Sequence, residues 1–318
     1  MTDLVTFGET MVRLSPPAGQ RLSRMDSLDV HVGGAESNVA ATASNLGLEA
    51  AWLSVLPGTA LGERIAHALR GEGVEPAVTW TDAGRVGTYY FERGGSPRGP
   101  TVIYDRAGTP IRTAKVEDIP VERVRGADGF LTSGITLALS DQLAETTAEL
   151  LGIANDAGVR TAFDVNYRAK LWDPGEARAT LVDLFPEVDL LFVARRDATD
   201  VLGLDGDPET VARTLRSRHG FETVVVTRGD EGALAAHDGD VYDQPAFAAE
   251  TVDPIGSGDA FVGGYLAERL AGGAVPDALA SGAATAGLNR TVEGDFAPVS
   301  PEEVAAIVDD DGSSGIER

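Results

Sequence analysis

Short apolar segments typical of β-strands alternate with segments of helical periodicity along most of the chain. The strand candidates are residues 4–7, 50–55, 129–131, 161–165, 190–193 and 223–226. The helix candidates are residues 37–46, 61–71, 140–157, 174–184, 208–219, 259–271 and 275–289. This alternation predicts parallel βαβ units. We therefore expect an α/β fold with a doubly wound, mainly parallel sheet flanked by helices, in which ligands bind at the carboxyl ends of the strands.

Two segments, residues 12–33 and 86–113, interrupt this alternation. Both are prone to form strands, and both contain turn sequences, PPAG and GGSP. They predict a small β-sheet outside the main one that could act as a lid; ordinary surface loops are the alternative. Neither an internal repeat nor a linker divides the chain. We therefore expect one domain over residues 1–318, with a disordered polar tail at 309–318.

Acidic residues outnumber basic ones: 50 Asp and Glu against 26 Lys and Arg give a net charge of −24. This charge would repel nucleic acids and anionic membranes, so neither is an expected partner. Lys115 and Lys170 are the only lysines. Dispersed acidic residues with few lysines indicate a halophilic organism, because molar salt screens their mutual repulsion. An ordinary acidic protein with GC-rich coding is the alternative.

The chain has no cysteine and four scattered histidines, His31, His67, His219 and His237. Disulfides, thiolate metal sites and cysteine nucleophiles are therefore excluded, and neither a His-rich metal site nor a Ser-His-Asp triad is expected. No apolar run approaches the ~20 residues that span a bilayer. The N-terminus lacks the pattern of a signal peptide, so we expect a cytoplasmic protein.

The strongest motif is a glycine-rich turn, VDPIGSGDAFVGGY at residues 252–265, that runs into a predicted helix. Free amide groups and the positive end of the helix dipole would meet there, which favours an anion site. Gly256 and Gly258 leave room for a phosphate, and the carboxylate of Asp259 could accept a proton from a hydroxyl group. Asp259 as a plain helix-starting acid is the alternative. The glycine spacing does not fit a nicotinamide fingerprint, and a P-loop sequence is absent.

A second glycine motif, GGAESNVA at residues 33–40, precedes DPIGSGDAF at 253–261. This ordered pair resembles the two signatures of the ribokinase-like, PfkB-type carbohydrate kinases, and the resemblance extends over residues 3–308. It implies an α/β core with a β-sheet lid, ATP as the phosphoryl donor, Mg²⁺, and a sugar hydroxyl as the acceptor.

The resemblance also assigns individual residues. Those that match the family's catalytic groups are Asp259 as the base, with Gly256, Ser257 and Gly258 as the anion hole for the transferred phosphoryl group. Those that match the lid hinge and the nearby sugar contacts are Gly33, Gly34 and the helix-start asparagine Asn38.

Period-two spacing places aromatic and basic side chains on common strand faces. The residues that share a face are Tyr104 with Arg106, Tyr89 with Phe91, and, if the strand at 161–165 continues, Asp164 with Asn166 and Arg168. Two arginines at a sugar pocket suit a carboxylate, which a guanidinium group can bind with two hydrogen bonds. We therefore expect a sugar acid; arginines in structural ion pairs are the alternative.

Five short sequences resemble the 2-keto-3-deoxygluconate kinases within this family: GTY at 87–89, YDR at 104–106, SGIT at 133–136, DVNYR at 164–168 and LW at 171–172. The residues that match this group's sugar-acid contacts are Gly34, Tyr89, Tyr104, Arg106, Arg168 and Asp259, with Asp295 as a further expected contact. Asn166 matches a residue near the nucleotide phosphates. The resemblance implies ATP-dependent phosphorylation of the terminal hydroxyl of 2-keto-3-deoxygluconate or its C4 epimer, 2-keto-3-deoxygalactonate.

The sequence VVVTRGDEG at residues 224–232 resembles the family's ATP loop; a left-handed turn without a ligand is the alternative. The residues assigned to the nucleotide are Thr227, Arg228, Gly229, Gly232 and Asn289, together with Asn166, Gly256 and Gly258. The family's Asn-x-x-Glu motif near the metal is replaced by ARRD at 194–197, so the metal ligands are unknown and Asp197 is a candidate. Mg²⁺ bound mainly through ATP oxygens and water remains expected, and a monovalent-cation site is left open.

Two other classes of function stay open. A fructokinase, ribokinase or nucleoside kinase of the same family would prefer a neutral acceptor. A sugar or nucleotide sensor on the same fold would bind ligands without catalysis. The expected partners are a small sugar acid and ATP, and we expect a homo-oligomer.

Overall fold

The computed structural model describes residues 2–95 and 97–310. The strands, in chain order, are β1 (Thr2–Phe7), β2 (Met11–Ser15), β3 (Asp29–Gly33), β4 (Ala50–Pro57), β5 (Glu75–Thr81), β6 (Thr88–Glu92), β7 (Thr101–Asp105), β8 (Ala127–Ser133), β9 (Arg160–Asp164), β10 (Leu190–Ala194), β11 (Thr223–Thr227), β12 (Ala233–His237) and β13 (Asp240–Gln244).

The helices are α1 (Ala35–Asn45), α2 (Ala60–Gly71), α3 (Val121–Arg125), α4 (Gly134–Leu137), α5 (Asp141–Asp156), α6 (Pro174–Leu184), α7 (Arg195–Asp200), α8 (Pro208–His219), α9 (Ser257–Leu270), α10 (Val275–Asn289) and α11 (Pro301–Asp309). Short 3-10 turns lie at Leu22–Arg24, Pro110–Thr113, Val116–Asp118, Phe185–Glu187 and Gly229–Glu231. None of the helices in the described ranges is long and apolar enough to cross a bilayer.

Nine strands form the main sheet, in the order β13-β12-β11-β10-β9-β8-β1-β4-β5. The seven neighbouring strands β11-β10-β9-β8-β1-β4-β5 are all parallel to one another. At one edge, β12 pairs antiparallel with β11, and β13 pairs antiparallel with β12. The chain passes from β1 towards β4 on one side, whereas β8 lies on the other, so the strand order reverses between β1 and β8. The doubly wound, mainly parallel sheet is thus confirmed, and its switch point lies where ligands bind in such folds.

A separate four-stranded sheet has the order β3-β2-β6-β7. β2 pairs antiparallel with β3 and parallel with β6, and β6 pairs antiparallel with β7. These strands come from the two segments that interrupt the βαβ alternation, which confirms the expected small sheet. Its action as a lid stays a prediction.

The core lies on both faces of the main sheet. In β10, Leu191 and Val193 pack into the apolar cluster that includes α5, α6 and α8, whereas Phe192 packs into the cluster with α9 and α10. Burial on both faces explains why the central strands are continuous apolar runs in the sequence. It also leaves the strand ends as the places where polar side chains can gather.

Several details differ from the sequence expectation. β9 ends at Asp164 rather than at 165, and α9 begins at Ser257, before the expected 259. The β12–β13 hairpin was not predicted, because the alanines of β12 favour a helix on propensity and only the pairing with β11 makes them a strand. Helix α11 includes Asp309, and the rest of the predicted tail from 311 onwards lies outside the described residues, as does Ser96 in the predicted GGSP turn.

Candidate active site

Helices α1 and α9 pack side by side on one face of the main sheet, and their first turns lie near the carboxyl ends of β1 and β9. Gly263 of α9 lies so close to Thr42 and to the backbone of Val39 that a side chain would not fit. In the first turns of the two helices, Asn38 donates a hydrogen bond from Nδ2 to Oδ2 of Asp259 at 2.7 Å. The structure therefore joins the two glycine motifs of the sequence in one place.

A left-handed turn begins α9. Gly256 is its N-cap residue, with φ of 76°, and a Cβ there would lie 2.5 Å from the carbonyl oxygen of Asp295, so the position requires glycine. A Cβ on Gly258 would meet no described atom within 4 Å, so this side of the turn is open. Ser257 donates from Oγ to the carbonyl of Pro254 at 3.0 Å. The free amides of this first turn and the dipole of the helix can hold an anion.

Two carboxyl groups beside this turn have raised pKa values. Burial raises the pKa of Asp259 to about 7, against the opposing effects of the hydrogen bond from Asn38 and the charge of Arg168. Burial also raises the pKa of Asp164, at the end of β9, to about 8, and the charge of Asp259 adds to this rise. A carboxyl group with a pKa near 7 can exchange a proton with a hydroxyl group near neutral pH.

Gly33 and Gly34 lie where the small sheet joins the main body. Gly33 is the last residue of β3, and a side chain on it would overlap the carboxylate of Asp295. Gly34 is the N-cap of α1, and a side chain on it would overlap the carbonyl oxygen of Glu9, just after β1. The N–H of Gly34 donates to Oδ1 of Asn38 at 3.2 Å. The expected hinge therefore lies at a close backbone contact beside the Asn38–Asp259 pair.

The small sheet presents an aromatic pair to the site. Tyr89 and Tyr104 are cross-strand partners whose ring centroids lie 5.8 Å apart. Tyr89 is buried and donates from its hydroxyl to Oδ1 of Asp295 at 2.6 Å, whereas Tyr104 is 37% exposed. The guanidinium of Arg106 lies 5.4 Å from the ring centroid of Tyr104. The structure thus groups four of the residues assigned to the sugar from sequence.

The two arginines expected to bind a carboxylate differ in their surroundings. Arg106 is 8% exposed, and its Nε donates to Oε2 of Glu9 at 2.8 Å, with Nη2 on the same oxygen. Thr109 donates to the other oxygen of Glu9 at 2.5 Å. The side chain of Arg168 is exposed and makes no hydrogen bond or ion pair with any described residue, yet it lies near enough to Asp259 to lower the pKa of that carboxyl. Arg106 is therefore in a structural ion pair, whereas the charge of Arg168 is available to a ligand.

The strand face expected through residues 164, 166 and 168 does not form. β9 ends at Asp164, and Asn166 has a positive φ of 36°. The N–H of Asn166 donates to Oδ1 of Asp164 at 3.2 Å, which turns the chain away from the sheet. Alternation along a strand therefore stops before these side chains, although Arg168 still lies near Asp164.

The expected nucleotide loop follows β11. Thr227 is the last residue of that strand, and Gly229, with φ of 62°, opens a 3-10 turn. A Cβ on Gly229 would meet no described atom within 4 Å, so its surface is open. A side chain on Gly232 would overlap the carbonyl oxygen of Gln244, so close packing of the β12–β13 hairpin is enough to require glycine there.

Arg228 and Asn289 are held by the chain itself. Arg228 donates from its two terminal nitrogens to the carboxylate of Asp243 at 2.8 and 2.9 Å. Asn289 is 1% exposed and donates from Nδ2 to the carbonyl of Ile255 at 2.8 Å, next to the Gly256 turn. Its Oδ1 is buried without a hydrogen-bond partner among the residues described. Asn289 therefore packs behind the turn from Gly256 to Gly258 and holds it through Ile255.

No group of three or more His, Asp or Glu residues that could hold a metal ion occurs within 2–95 and 97–310. Asp197 is 3% exposed, accepts the N–H of Tyr167 at 3.2 Å, and pairs with Arg196 at 3.2 Å. Burial raises the pKa of Asp197. This donor set fits Mg²⁺ only when phosphate oxygens and water supply most of the ligands.

Sequence reasoning missed the buried acids Glu9, the partner of Arg106, and Glu36. Glu36 is 1% exposed, and its Oε1 accepts hydrogen bonds from Ser133 at 2.6 Å and Thr136 at 2.7 Å. Burial raises the pKa of this carboxyl, and its charge in turn raises the pKa of Asp259. Glu36 lies within the motif GGAESNVA and its partners within SGIT, but spacing alone cannot show that the two sequences meet.

A doubly wound sheet whose switch point lies under a small β-sheet is the architecture of the ribokinase-like proteins. The family model for pfkB family carbohydrate kinases matches residues 1–302. The chain belongs to this family and is a sugar kinase, as the two glycine motifs predicted.

Two similar proteins carry the names of kinases that act on 2-dehydro-3-deoxy sugar acids. The chain is 55% identical over 316 residues to a 2-dehydro-3-deoxygalactonokinase from Haloferax volcanii, with 99% of each chain covered. It is 31% identical over 313 residues to a 2-dehydro-3-deoxygluconokinase from Thermoproteus tenax, covering 97% of this chain and 94% of the relative. Haloferax volcanii is a halophile, which fits the origin inferred from the charge.

Among solved structures, a 2-dehydro-3-deoxygluconokinase from Thermotoga maritima superposes with a TM-score of 0.91 at 34% identity. The match covers 96% of this chain and 98% of that one. Similarity over this length includes both sheets, so the small sheet is part of the shared fold.

Proposed function

We propose that this kinase transfers the γ-phosphoryl group of ATP to the terminal hydroxyl of a sugar acid, 2-keto-3-deoxygalactonate or its C4 epimer 2-keto-3-deoxygluconate. The observation that carries the proposal is the Asn38–Asp259 hydrogen bond beside the open turn at Gly256 and Gly258. The names of the relatives from Haloferax and Thermoproteus support the substrate class, since 2-dehydro and 2-keto denote the same group.

Asp259 is the proposed base. Its Oδ2 is held by Asn38, which leaves Oδ1 for the acceptor hydroxyl. As the hydroxyl oxygen attacks the γ-phosphorus in line, its proton passes to Asp259, and the bond between the γ-phosphorus and the ADP oxygen breaks. The raised pKa of about 7 fits this role, because a base with a pKa near the working pH is both available and strong enough to accept the proton.

The turn from Gly256 to Gly258 is the proposed anion hole. Its backbone amides and the positive end of the α9 dipole would stabilise charge on the phosphoryl oxygens as it develops. Mg²⁺ bound to the triphosphate would neutralise part of this charge. The contacts of Gly256 with Asp295 and of Asn289 with Ile255 would hold the turn in this shape.

Arg168 is the proposed main contact for the sugar carboxylate, because its charge is unpaired among the described residues and lies near Asp259. Arg106 can add a second contact through Nη1, since its bonds to Glu9 use Nε and Nη2. The exposed ring of Tyr104 and the backbone of Gly34 would complete the pocket. The small sheet would close over the sugar and exclude water, which could otherwise accept the phosphoryl group.

For the nucleotide, the open backbone at Gly229 after β11 is the proposed contact, with Thr227 and Asn166 nearer the phosphates. Asn289 would act from behind the anion turn, and Gly232 through the shape of the hairpin. These assignments follow the rule that ligands lie at the carboxyl ends of parallel strands.

The test is a coupled ADP-release assay in high KCl over a panel that contains both 2-keto-3-deoxy sugar acids, gluconate, fructose, ribose and adenosine. We expect the highest kcat/KM on a 2-keto-3-deoxy sugar acid. A neutral sugar or nucleoside as the best acceptor would replace the proposal with a fructokinase, ribokinase or nucleoside kinase. Binding of sugar acid and ATP without ADP release would indicate a sensor.

A further inference from the structure

A fully buried arginine links the small sheet to the main body. Arg13 of β2 has 0% side-chain exposure. Its Nη2 donates to Oδ2 of Asp253 at 3.3 Å, and its Nη1 lies 3.2 Å from Oδ2 of Asp295. Asp253 precedes α9 and Asp295 follows α10, so one guanidinium group bridges the small sheet and the two segments that flank these helices.

Both acids also contact the anion turn. Oδ1 of Asp253 accepts the N–H of Ile255 at 3.1 Å, one residue before Gly256. The carbonyl of Asp295 packs against Gly256, while its carboxylate accepts the hydroxyl of Tyr89 from β6. A shift of the Arg13 guanidinium would therefore move groups that touch the turn directly.

A second arginine strengthens this connection. Arg93, just after β6, lies 3.3 Å from Oδ2 of Asp253 and 2.6 Å from the carboxylate of Glu293. The ring of Phe91 lies 5.5 Å from the guanidinium of Arg13. Charges on the small sheet thus meet charges on the main body, fully buried at Arg13 and reaching the surface at Glu293, whose side chain is 49% exposed.

A gain in the stability of the fold does not by itself explain why the charges of Arg13 and Asp253 are buried together. Taking charges out of water costs free energy that their attraction offsets only in good geometry, so apolar packing can stabilise a protein equally well. A buried ion pair is, however, satisfied in one relative placement of its two partners. The pair between Arg13 and Asp253 therefore fixes where the small sheet sits relative to the anion turn.

We propose that Arg13 is a positioning residue that seats the small sheet against the Gly256 turn, so that the phosphoryl group passes to the sugar rather than to water. This inference rests on the proposed function. In the productive reaction ATP and the sugar hydroxyl give ADP and the sugar phosphate; in the unproductive one ATP and water give ADP and inorganic phosphate. Arg13 touches neither substrate and acts through Asp253 and Asp295.

The experiment compares Arg13→Met and Arg13→Lys with the wild type, and uses Arg21→Met as the matched control. Arg21 belongs to the same part of the chain but pairs with Glu92 at the surface, with 51% side-chain exposure. For each folded protein we would measure kcat, the KM for the sugar acid, and ADP formation without sugar relative to that with sugar.

For Arg13→Met we expect kcat to fall about 100-fold, the KM for the sugar acid to rise, and the sugar-independent share of ADP formation to increase. Arg13→Lys should lie between this variant and the wild type, because an ammonium group cannot span both carboxylates as a guanidinium does. Arg21→Met should match the wild type. A purely structural role would lower the melting temperature and the active fraction but leave the KM and the ADP ratio unchanged.

Wild-type KM values and ADP ratios in folded Arg13→Met would overturn the proposal, as would wild-type behaviour of Arg13→Lys. If Arg13→Met fails to fold because two buried carboxylates lose the charge of Arg13, the double variant Arg13→Met with Asp253→Asn removes one of these charges. It must then show more uncoupling than Asp253→Asn alone, in which Arg13 is retained. A wild-type protein without activity on sugar acids would instead contradict the proposed function, so the two failures are distinct.

Discussion

Asn38 and Asp259 are 221 residues apart in the chain, yet their side chains are joined by a 2.7 Å hydrogen bond between the first turns of α1 and α9. The amide group orients the carboxylate and partly offsets the rise in its pKa caused by burial. This contact links the two glycine motifs into one site, in which Asp259 is held for its proposed role as the base.

Asp259→Asn should lower kcat by about 1,000-fold with little change in the KM for either substrate, because the amide keeps the shape of the side chain but cannot accept the proton. The coupled ADP assay measures this. Asp128→Asn, at an exposed position of β8, is the control and should keep wild-type kcat. Turnover of Asp259→Asn within a few fold of the wild type would remove Asp259 from the role of base.

The pH dependence of kcat/KM, which reports groups of the free enzyme, should show an activity that rises with pH through about 7, since only the ionised Asp259 can accept a proton. The hydrogen bond from Asn38 lowers this pKa, so Asn38→Ala should move the rise to higher pH. Asn45→Ala, which removes contacts of the same helix to Glu72 and Ala297, should leave the midpoint in place. An unmoved midpoint in Asn38→Ala would contradict the assigned coupling.

Asp164→Asn should stabilise the protein more at pH 8.5 than at pH 5. The folded-state pKa of Asp164 is raised to about 8, so the folded state holds a proton that the unfolded state releases, and stability falls as pH rises from about 4 to about 8. The asparagine variant does not titrate and escapes this loss. Thermal unfolding should show a gain in Tm that is larger by about 3 °C or more at the higher pH. Asp240→Asn, at an exposed position, is the control, and its effect on Tm should be the same at both pH values. An equal change in Tm at both pH values for Asp164→Asn would show that Asp164 does not cause the loss of stability with rising pH.

Arg168→Met should raise the KM for the sugar acid roughly 10-fold to 100-fold, the usual effect of losing a hydrogen bond between charged groups. Because the charge of Arg168 also lowers the pKa of Asp259, the comparison is made well above pH 7, where Asp259 is ionised in both proteins. There the KM for ATP and the slow activity on a neutral sugar should change little. Arg160→Met, at the opposite end of β9, serves as the control for loss of an exposed arginine. An equal loss on acidic and neutral sugars would argue against binding of the carboxylate by Arg168.

Thermal stability should increase with KCl concentration, because the net charge of −24 makes the folded chain repel itself and salt screens that repulsion. A differential scanning measurement from 0.1 to 3 M KCl tests this, with a non-ionic osmolyte at equal osmolality as the control. A response no larger than that to the osmolyte would show that charge screening is unimportant.

The sequence was sufficient for the central strands of the main sheet and for its longer helices. Apolar runs buried on both faces of a sheet and strong helix starts such as Asp173 and Asp207 are local signals, and α6 and α8 begin and end where expected. β12 was missed because its strand state depends on β11, which is a tertiary effect.

The site was predictable only as far as its motifs reach. Asp259 and Gly256 belong to a local sequence motif that can be recognised. Arg13 and Asp253 are 240 residues apart, and no spacing in the sequence predicts that they pair. The prediction that Asp164, Asn166 and Arg168 share one strand face was wrong for a local reason. Asn166 adopts a left-handed backbone conformation, and the alternation of side chains in the sequence cannot predict this. A structural ion pair was the alternative role for Arg106, and in the structure Arg106 does pair with Glu9.

A crystal structure with 2-keto-3-deoxygalactonate and a non-hydrolysable ATP analogue would test the central claim most directly. We expect the terminal hydroxyl oxygen about 2.6–3.2 Å from a carboxylate oxygen of Asp259, with the γ-phosphate against the backbone amides of the Gly256 turn. A terminal hydroxyl that points away from Asp259, or a γ-phosphate bound elsewhere, would contradict the proposed chemistry.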